Sequence, residues 1–366
     1  MLLLDVVDEP IPALTWRGTA VSRRSLLVGI GAVTAFLAVD LGAVAYANNW
    51  IGDRFSRQAI IDRFQAIFGV HPGFRRNHAK GVAVSGHFDS NGSGHELSSA
   101  AVLAAGTSPV VGRFSLGGGN PTVPDDPGVV RGLGLAIGFA GREQWRTAMI
   151  NAPVFPVNSA EAFYDQLLAS KPDPATGKPN PDALSAFFAK YPASAAATKL
   201  IKADPPTPGF ADSTFHGLNT FLFVSDAGTH TPVRWVFVPR QKALPASGKG
   251  GDVLFDALVR QLKTGPLSWD LHLIVGTEQD PIDPTLPWPA DRRVVNAGTL
   301  TLTTVETEAA GNARDVNFDP LALPNGIVPS DDPILGARSA VYASSYRLRT
   351  EEPKSPSAVQ VDKVAP

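Results

Sequence analysis

The feature that most constrains this chain is a succession of short apolar or alternating runs, each bounded by Gly, Pro, Asp or Ser: KGVAVSGHFD, SPVVGRFSLGG, VVRGLGLAIGFA, NTFLFVSDAGTHTPVRWVFVPR, LSWDLHLIVGTE and AGTLTLTTVE. Alternation with a period of two sends successive side chains to opposite faces of a strand, and the turn residues at each end keep the strands short. The SDAG between two of these runs reads as a hairpin turn. Together the runs predict an antiparallel barrel within an α+β fold. The 34 Gly and 32 Pro are abundant but not periodic, which suits a loop-rich fold of many short strands better than a helical bundle or a collagen-like repeat.

Helical spacing appears beside these runs. SRQAIIDRFQAIFG carries Ile60, Ile61, Phe64, Ile67 and Phe68 at helical intervals and stops at Gly69. SAEAFYDQLLAS and PDALSAFFAKYP predict helices opened by Ser159 and by Pro181-Asp182, with SKPDPATGKPNPD as an exposed loop between them. GDVLFDALVRQLKT predicts another helix. SDDPILGARSAVYASSYRLR predicts a final one, with Ser330 as N-cap and Pro333 in the first turn. Residues 351–366, EEPKSPSAVQVDKVAP, have the composition of a disordered tail.

With 366 residues, 44% of them hydrophobic, the chain can bury a large core. A formal charge of −2 and no Lys/Arg run in the body of the chain remove the electrostatic footprint of a nucleic-acid binder. The absence of cysteine excludes disulfides, thiolate metal sites and thiol catalysis, so any metal must have N or O ligands. Residues 1–47 form a separate piece: paired Arg23 and Arg24, an apolar run from Leu26 to about Ala45 interrupted by Asp40, and the small-x-small Ala45-Tyr46-Ala47. This predicts an export signal that uses the twin-arginine machinery and a periplasmic or otherwise extracytoplasmic protein. The alternative is an uncleaved membrane anchor, since the run approaches the roughly 20 residues that span a bilayer. Gly29, Gly31, Gly42 and Asp40 weaken that alternative. The twin-arginine route carries folded proteins, often with a cofactor already bound.

Two segments offer chemistry. In RRNHAKGVAVSGHFDS, His78 stands between Arg76 and Lys80 at the start of a strand, where an imidazole is as consistent with a structural role as with acid–base work. In ILGARSAVYASSYRLR, Arg338 and Tyr342 lie four residues apart on the predicted helix and share a face, so the cation can stabilise a phenolate. Tyrosinate is an axial ligand of heme iron in some proteins, although an exposed Arg beside a half-buried Tyr accounts for the same spacing. SLGGGNP lacks the Lys and Ser/Thr of a phosphate-binding loop and reads as a turn. His87, Asp89 and His95 read as parts of a solvated loop rather than a metal site, and His216 and His230 have no partner spacing.

In chain order, RNHAKG, GRFSLGGGNP, INAPVFPVNSAEAF and NFDPLALPNGIVPSDDPILGARSAVYASSYRLR resemble the distal, RFS, asparagine and proximal segments of heme catalases. FHGLNTFLFV and PLSWDLHLIVGT resemble further strands of that family. The likeness covers roughly residues 55–350, and the chain is identified as a member of the catalase superfamily, similar to its small bacterial catalase-related peroxidases. The resemblance implies a heme b domain over residues 48–350: a catalase-like antiparallel β-barrel core with surrounding α-helices, lacking the C-terminal helical domain of full-length catalases.

It also implies roles. His78 matches the distal base that moves a proton between the peroxide oxygens, and Ser115 the hydroxyl that orients its ring. Tyr342 matches the proximal iron ligand and Arg338 its charge partner. Arg75, Arg113 and Arg349 match cations that neutralise heme propionates, and Phe155, Phe163 and Phe318 match apolar walls. The implied function is reduction of hydrogen peroxide or an organic hydroperoxide through a ferryl intermediate, re-reduced by a small organic electron donor. Alternatives are a true catalase, an enzyme that rearranges fatty-acid hydroperoxides, and an exported heme-binding protein without turnover. A homo-oligomer is compatible with each. One departure bears on this choice: Ile150-Asn151-Ala152-Pro153 stands where full catalases have Asn-Asn-Thr-Pro, which puts Ile150 at the distal Asn. Either a small backbone shift lets Asn151 serve, or the pocket lacks that donor, which favours peroxidase over catalase activity. Asn219 replaces the His of the family's GSHTF, so bound NADPH is not expected.

Overall fold

The alternating runs form antiparallel strands. Together with Trp145–Ile150, Phe215–His216 and Ile327–Pro329, which lie outside those runs, the strands in chain order are β1 (Gly81–Ser90), β2 (Gly106–Leu116), β3 (Arg131–Ile137), β4 (Trp145–Ile150), β5 (Phe215–His216), β6 (Phe221–Val224), β7 (His230–Pro239), β8 (Leu267–Val275), β9 (Val294–Glu306) and β10 (Ile327–Pro329). The computed structural model describes residues 57–365 except 127, 139–142, 174–175 and 243–250; before residue 57 it describes only the antiparallel pair Thr15–Trp16 and Thr19–Ala20. Apart from that pair, the export-signal or anchor reading of residues 1–47 therefore lies outside the described residues. That strand pair belongs to one compact unit, Met1–Gly52, and everything below concerns the other, Asp53–Pro366.

Eight strands close into a barrel in the order β8-β9-β1-β2-β3-β4-β5-β7, with β7 returning to β8; β6 and β10 extend from β7. Closure leaves no open edge in the ring, which removes the aggregation liability of an edge strand. The SDAG turn joins β6 to β7 through Ser225 N–H donating to Thr229 O at 3.0 Å. The barrel interior is filled by large side chains: Phe114, Phe215 and Trp269 lie with ring centroids 5.8 Å apart around Phe114.

Among the described residues six helices surround the barrel: α1 (Arg57–Phe68), α2 (Ala160–Ala169), α3 (Pro181–Lys190), α4 (Pro192–Ala203), α5 (Val253–Thr264) and α6 (Leu335–Glu351). Ser159 caps α2 by accepting from Ala162 N–H, as the sequence predicts. Helix α4 is not anticipated as a separate element, although Pro192 at its first turn and the alanines behind it are a sound start signal. Among the described residues no helix is long and apolar enough to cross a membrane.

Two expectations need correction. Ser330 does not cap α6: its hydroxyl donates to Thr220 O at 2.6 Å and accepts from Asp332 N–H at 3.2 Å, and Asp332, two residues nearer the helix start at Leu335, accepts from Ile334 N–H at 3.0 Å. The end of the chain is not a loose tail either. Val359, Val361 and Val364 are buried in the main core, Val361 N–H donates to Thr307 Oγ1 at 2.9 Å, and Lys263 Nζ donates to Val364 O at 2.6 Å. Apolar anchors spaced among Pro, Ser and Lys offset the ordering entropy that composition alone suggests is unaffordable.

Candidate active site

Strands β1–β4 have two unlike faces. Val82, Phe114, Leu116, Leu133, Leu135 and Met149 belong to the barrel core. The alternate residues face outward and are mostly small: Gly81 pairs Ser115, Ala83 pairs Arg113, Gly132 pairs both Ser115 and Ile150, and Gly134 pairs both Arg113 and Ala148. A β-carbon at Gly134 would approach Phe318 to 2.8 Å, and one at Gly132 would approach Ser115 Oγ to 2.8 Å and His78 Nδ1 to 2.9 Å. The outer face is thus a low floor that only glycine permits. Above it lies a cavity of about 320 Å³ bounded also by α1, α2 and α6.

His78 stands at one side of this cavity. Its backbone is left-handed, with φ 56°, and Asn77 Oδ1 accepts from both His78 N–H at 3.0 Å and Gly118 N–H at 2.9 Å to hold the turn. Its ring Nδ1 hydrogen-bonds Ser115 Oγ at 3.1 Å. Burial, and then the charges of Arg113, Arg338 and Arg75, pull the imidazole pKa down to about 3, so the ring is neutral at ordinary pH.

Three guanidinium groups gather at one edge. Arg75 donates to the carbonyls of Ala313 at 3.0 Å and Val316 at 2.9 Å, and Arg349 donates to the carbonyls of Arg314 and Val316. Burial and mutual repulsion pull Arg75 well below the usual range and Arg349 down to about 10. Glu308 is the carboxylate among them; burial raises its pKa, but Arg113, Arg75 and Arg349 outweigh that and hold it below the ordinary range. Three cations against one carboxylate leave two positive charges uncompensated. Arg349 Nε is buried and without a hydrogen-bond partner among the described residues.

Helix α6 crosses the cavity with Arg338, Tyr342, Tyr346 and Arg349 along one face. Of its 17 residues only Leu335, Ser344 and Arg349 are buried, unusual for a helix flanked by others and consistent with one that fronts a cavity. Tyr342 packs against the small apolar cluster of Ala83, Ala136, Ala148, Ala313, Val316 and Phe318. Arg338 donates to Asn219 Oδ1 and to Ala148 O, the latter at 2.9 Å, rather than to Tyr342. Asn219 is fully buried and donates to Asp332 Oδ2 at 2.8 Å. The departure at Asn219 therefore sits beneath Arg338.

The structure brings His78, Ser115, Arg75, Arg113, Phe155, Phe163, Phe318, Arg338, Tyr342 and Arg349 to this one cavity. It does not bring Asn151. Ile150 lines the cavity, whereas Asn151 Oδ1 accepts from Arg131 N–H at 2.8 Å beyond the end of β4. A one-residue step along an extended chain turns the side chain to the other face, and the backbone shift that would let Asn151 serve is not made. Sequence reasoning missed Asn77, Gly132, Gly134 and Glu308. The alternating GLGL of β3 is a readable signal for the two glycines; Glu308 has none, because its partner Arg113 is 195 residues away.

An apolar slot with a glycine floor, a net dicationic edge and an unpartnered buried guanidinium N–H fits a flat, dianionic porphyrin, with Tyr342 as the oxygen ligand available to its metal. The catalase family model matches residues 73–355. A catalase-related peroxidase of Synechococcus elongatus is 35% identical over 346 residues, 92% of this chain and 97% of that protein. One of Mycolicibacterium paratuberculosis is 32% identical over 79% of this chain and 93% of its own length. Catalase A from Saccharomyces cerevisiae superposes with a TM-score of 0.68 at 20% identity over 80% of this chain and 64% of that structure. A family match across most of its length, two relatives at 35% and 32% identity matched over nearly their whole chains, and the shared fold place this chain in the catalase family.

Proposed function

We propose that the chain binds heme b against the outer face of β1–β4 and reduces hydrogen peroxide or an organic hydroperoxide at the expense of small organic electron donors. Its similarity to catalase-related peroxidases over nearly their full length supports peroxide as the substrate. Bound heme supplies the redox centre at which the O–O bond is cleaved. Arg75, Arg113 and Arg349 would supply positive charge toward the propionates, Phe155, Phe163 and Phe318 would wall the ring, and Tyr342 would ligate the iron, with Arg338 as a nearby cation.

The observation that carries the reading is the neutral, hydroxyl-tethered His78 in the same cavity as Tyr342. When Nδ1 donates to Ser115 Oγ, Nε2 keeps its lone pair and takes a proton from one peroxide oxygen, then returns it to the other. A heme store needs no such base. Ile150 in place of a distal amide donor favours peroxidase over catalase turnover, because dismutation must also hold peroxide as a reductant. The apolar lining suits organic hydroperoxides as well. From the paired arginines at 23 and 24 and the apolar run after them, we place the working protein outside the cytoplasm after twin-arginine export.

The test is to follow oxygen release and oxidation of an added organic donor in parallel with heme-loaded protein. Donor oxidation with little oxygen is expected. Vigorous oxygen release identifies a true catalase, and neither activity overturns the enzymatic reading.

A further inference from the structure

We propose that the buried Glu308–Arg113 ion pair is the positioning device of His78, holding its left-handed backbone rather than serving chiefly as a cation for a cofactor carboxylate. This rests on the reading of His78 as the proton-handling residue. A non-glycine residue in the left-handed region is strained and persists only where its surroundings over-determine it. On the amide side of His78 the constraint is Asn77 Oδ1. On the carbonyl side it is Arg113, whose Nη1 donates to His78 O at 2.7 Å and whose Nη2 donates to Ala79 O at 3.0 Å. Two successive carbonyls are thereby held on one rigid fork.

Glu308 holds the fork. Its Oε1 accepts from Arg113 Nε at 2.7 Å and its Oε2 from Nη2 at 2.9 Å, with Arg113 3% and Glu308 9% exposed. The guanidinium reaches the two carbonyls by crossing β1 over Gly81, where a β-carbon would stand 2.5 Å from its central carbon. Of the five N–H donors of Arg113, those bonds engage four and leave one on Nη1 for any other partner. Arg75 and Arg349 are then the principal cations for the porphyrin edge. The nearby buried pair Lys80–Asp125, at 2.6 Å, is a useful contrast: Lys80 bonds the loop carbonyls of Val123 and Gly251, and neither residue bonds His78.

The test is Glu308→Gln in the full chain, which keeps the shape but removes the charge that fixes the fork. In the heme-free protein, the His78 ring resonances, identified by their loss in His78→Ala, should shift. In the heme-loaded protein, cyanide binding, which also needs a base to take the ligand's proton, should slow roughly tenfold or more, a part of the ~10²–10⁴ that a placed acid–base group supplies. Glu308→Asp, which retains the charge, should recover part of the rate. Unchanged His78 ring signals together with a wild-type cyanide rate overturn the proposal. Should Glu308→Gln not load heme, the ring spectrum of the heme-free chain decides; should it not fold, Arg113→Lys decides, since it keeps the cation and loses the fork. A wild-type cyanide rate in Arg113→Lys then overturns the clamp. Failure of the underlying reading looks different: His78→Ala itself would react with peroxide and cyanide at wild-type rates.

Discussion

On their inner face, strands β1–β4 bury Phe114, Leu133 and Leu135 completely; on their outer face the same strands present Gly132, Gly134, Ala83 and Ala148, with Arg113 and Ser115 between them. The inner face is filled by its own side chains and stabilises the barrel. The outer face is kept low; apart from Ile150, what rises from it is polar or charged, with the left-handed His78 beside it. One sheet thus separates stability from function by the period-two alternation of its strands.

The largest effect expected from breaking this contrast is on the outer face. His78→Ala should slow reaction of the heme-loaded protein with peroxide by ~10²–10⁴-fold, measured by stopped-flow absorbance, while leaving the denaturation midpoint close to wild type. On the inner face Phe114→Ala should behave oppositely, costing about 3–5 kcal/mol of stability in urea or guanidinium titration. A loss below about 1 kcal/mol would show that this face is not the core.

Acid sensitivity sharpens the same division. His78 and His216 have folded pKa values lowered, chiefly by burial, to about 3 and about 4 from an unfolded value of 6.5. A depressed histidine pKa means that the unfolded chain takes up protons first as pH falls. Stability of the heme-free chain should therefore be full above about pH 6.5 and decline between 6.5 and 3. His78→Ala should flatten that slope by up to about 1.4 kcal/mol per pH unit. An identical slope in the variant would mean that His78 is solvated. Gly132→Ala places a β-carbon against His78 and Ser115 and should reduce the peroxide rate about tenfold through misplacement of the ring. Ser115→Ala, which removes one neutral hydrogen bond worth about 0.5–1.5 kcal/mol, should have the smallest effect, a severalfold lower rate at unchanged heme content.

Most of the barrel is legible because β1–β3 and β7–β9 alternate and end at turn residues; β4, whose burial does not alternate, and the two-residue β5 are not. The two sides of the cavity are legible as well, since Arg75-x-x-His78 and Arg338-x-x-x-Tyr342 are local patterns and the fold brings all four residues together. What escaped depends on contacts distant in sequence. Glu308 finds Arg113 only in the folded barrel. Val359, Val361 and Val364 have a composition that suggests disorder and become anchors only when a core is there to receive them. Asn151 misled because one position along an extended chain decides which face a side chain takes, and identity alone does not show that phase.

The central claim is that the outer face of β1–β4 is a porphyrin site completed by Tyr342. The most direct measurement is an equilibrium heme titration of the heme-free chain and of Tyr342→Phe, followed by absorbance. The prediction is saturation at one heme per chain for the wild type, with a charge-transfer spectrum characteristic of phenolate-ligated ferric iron, and loss or marked alteration of both in the variant. Saturation with the same affinity and the same spectrum in Tyr342→Phe would contradict it.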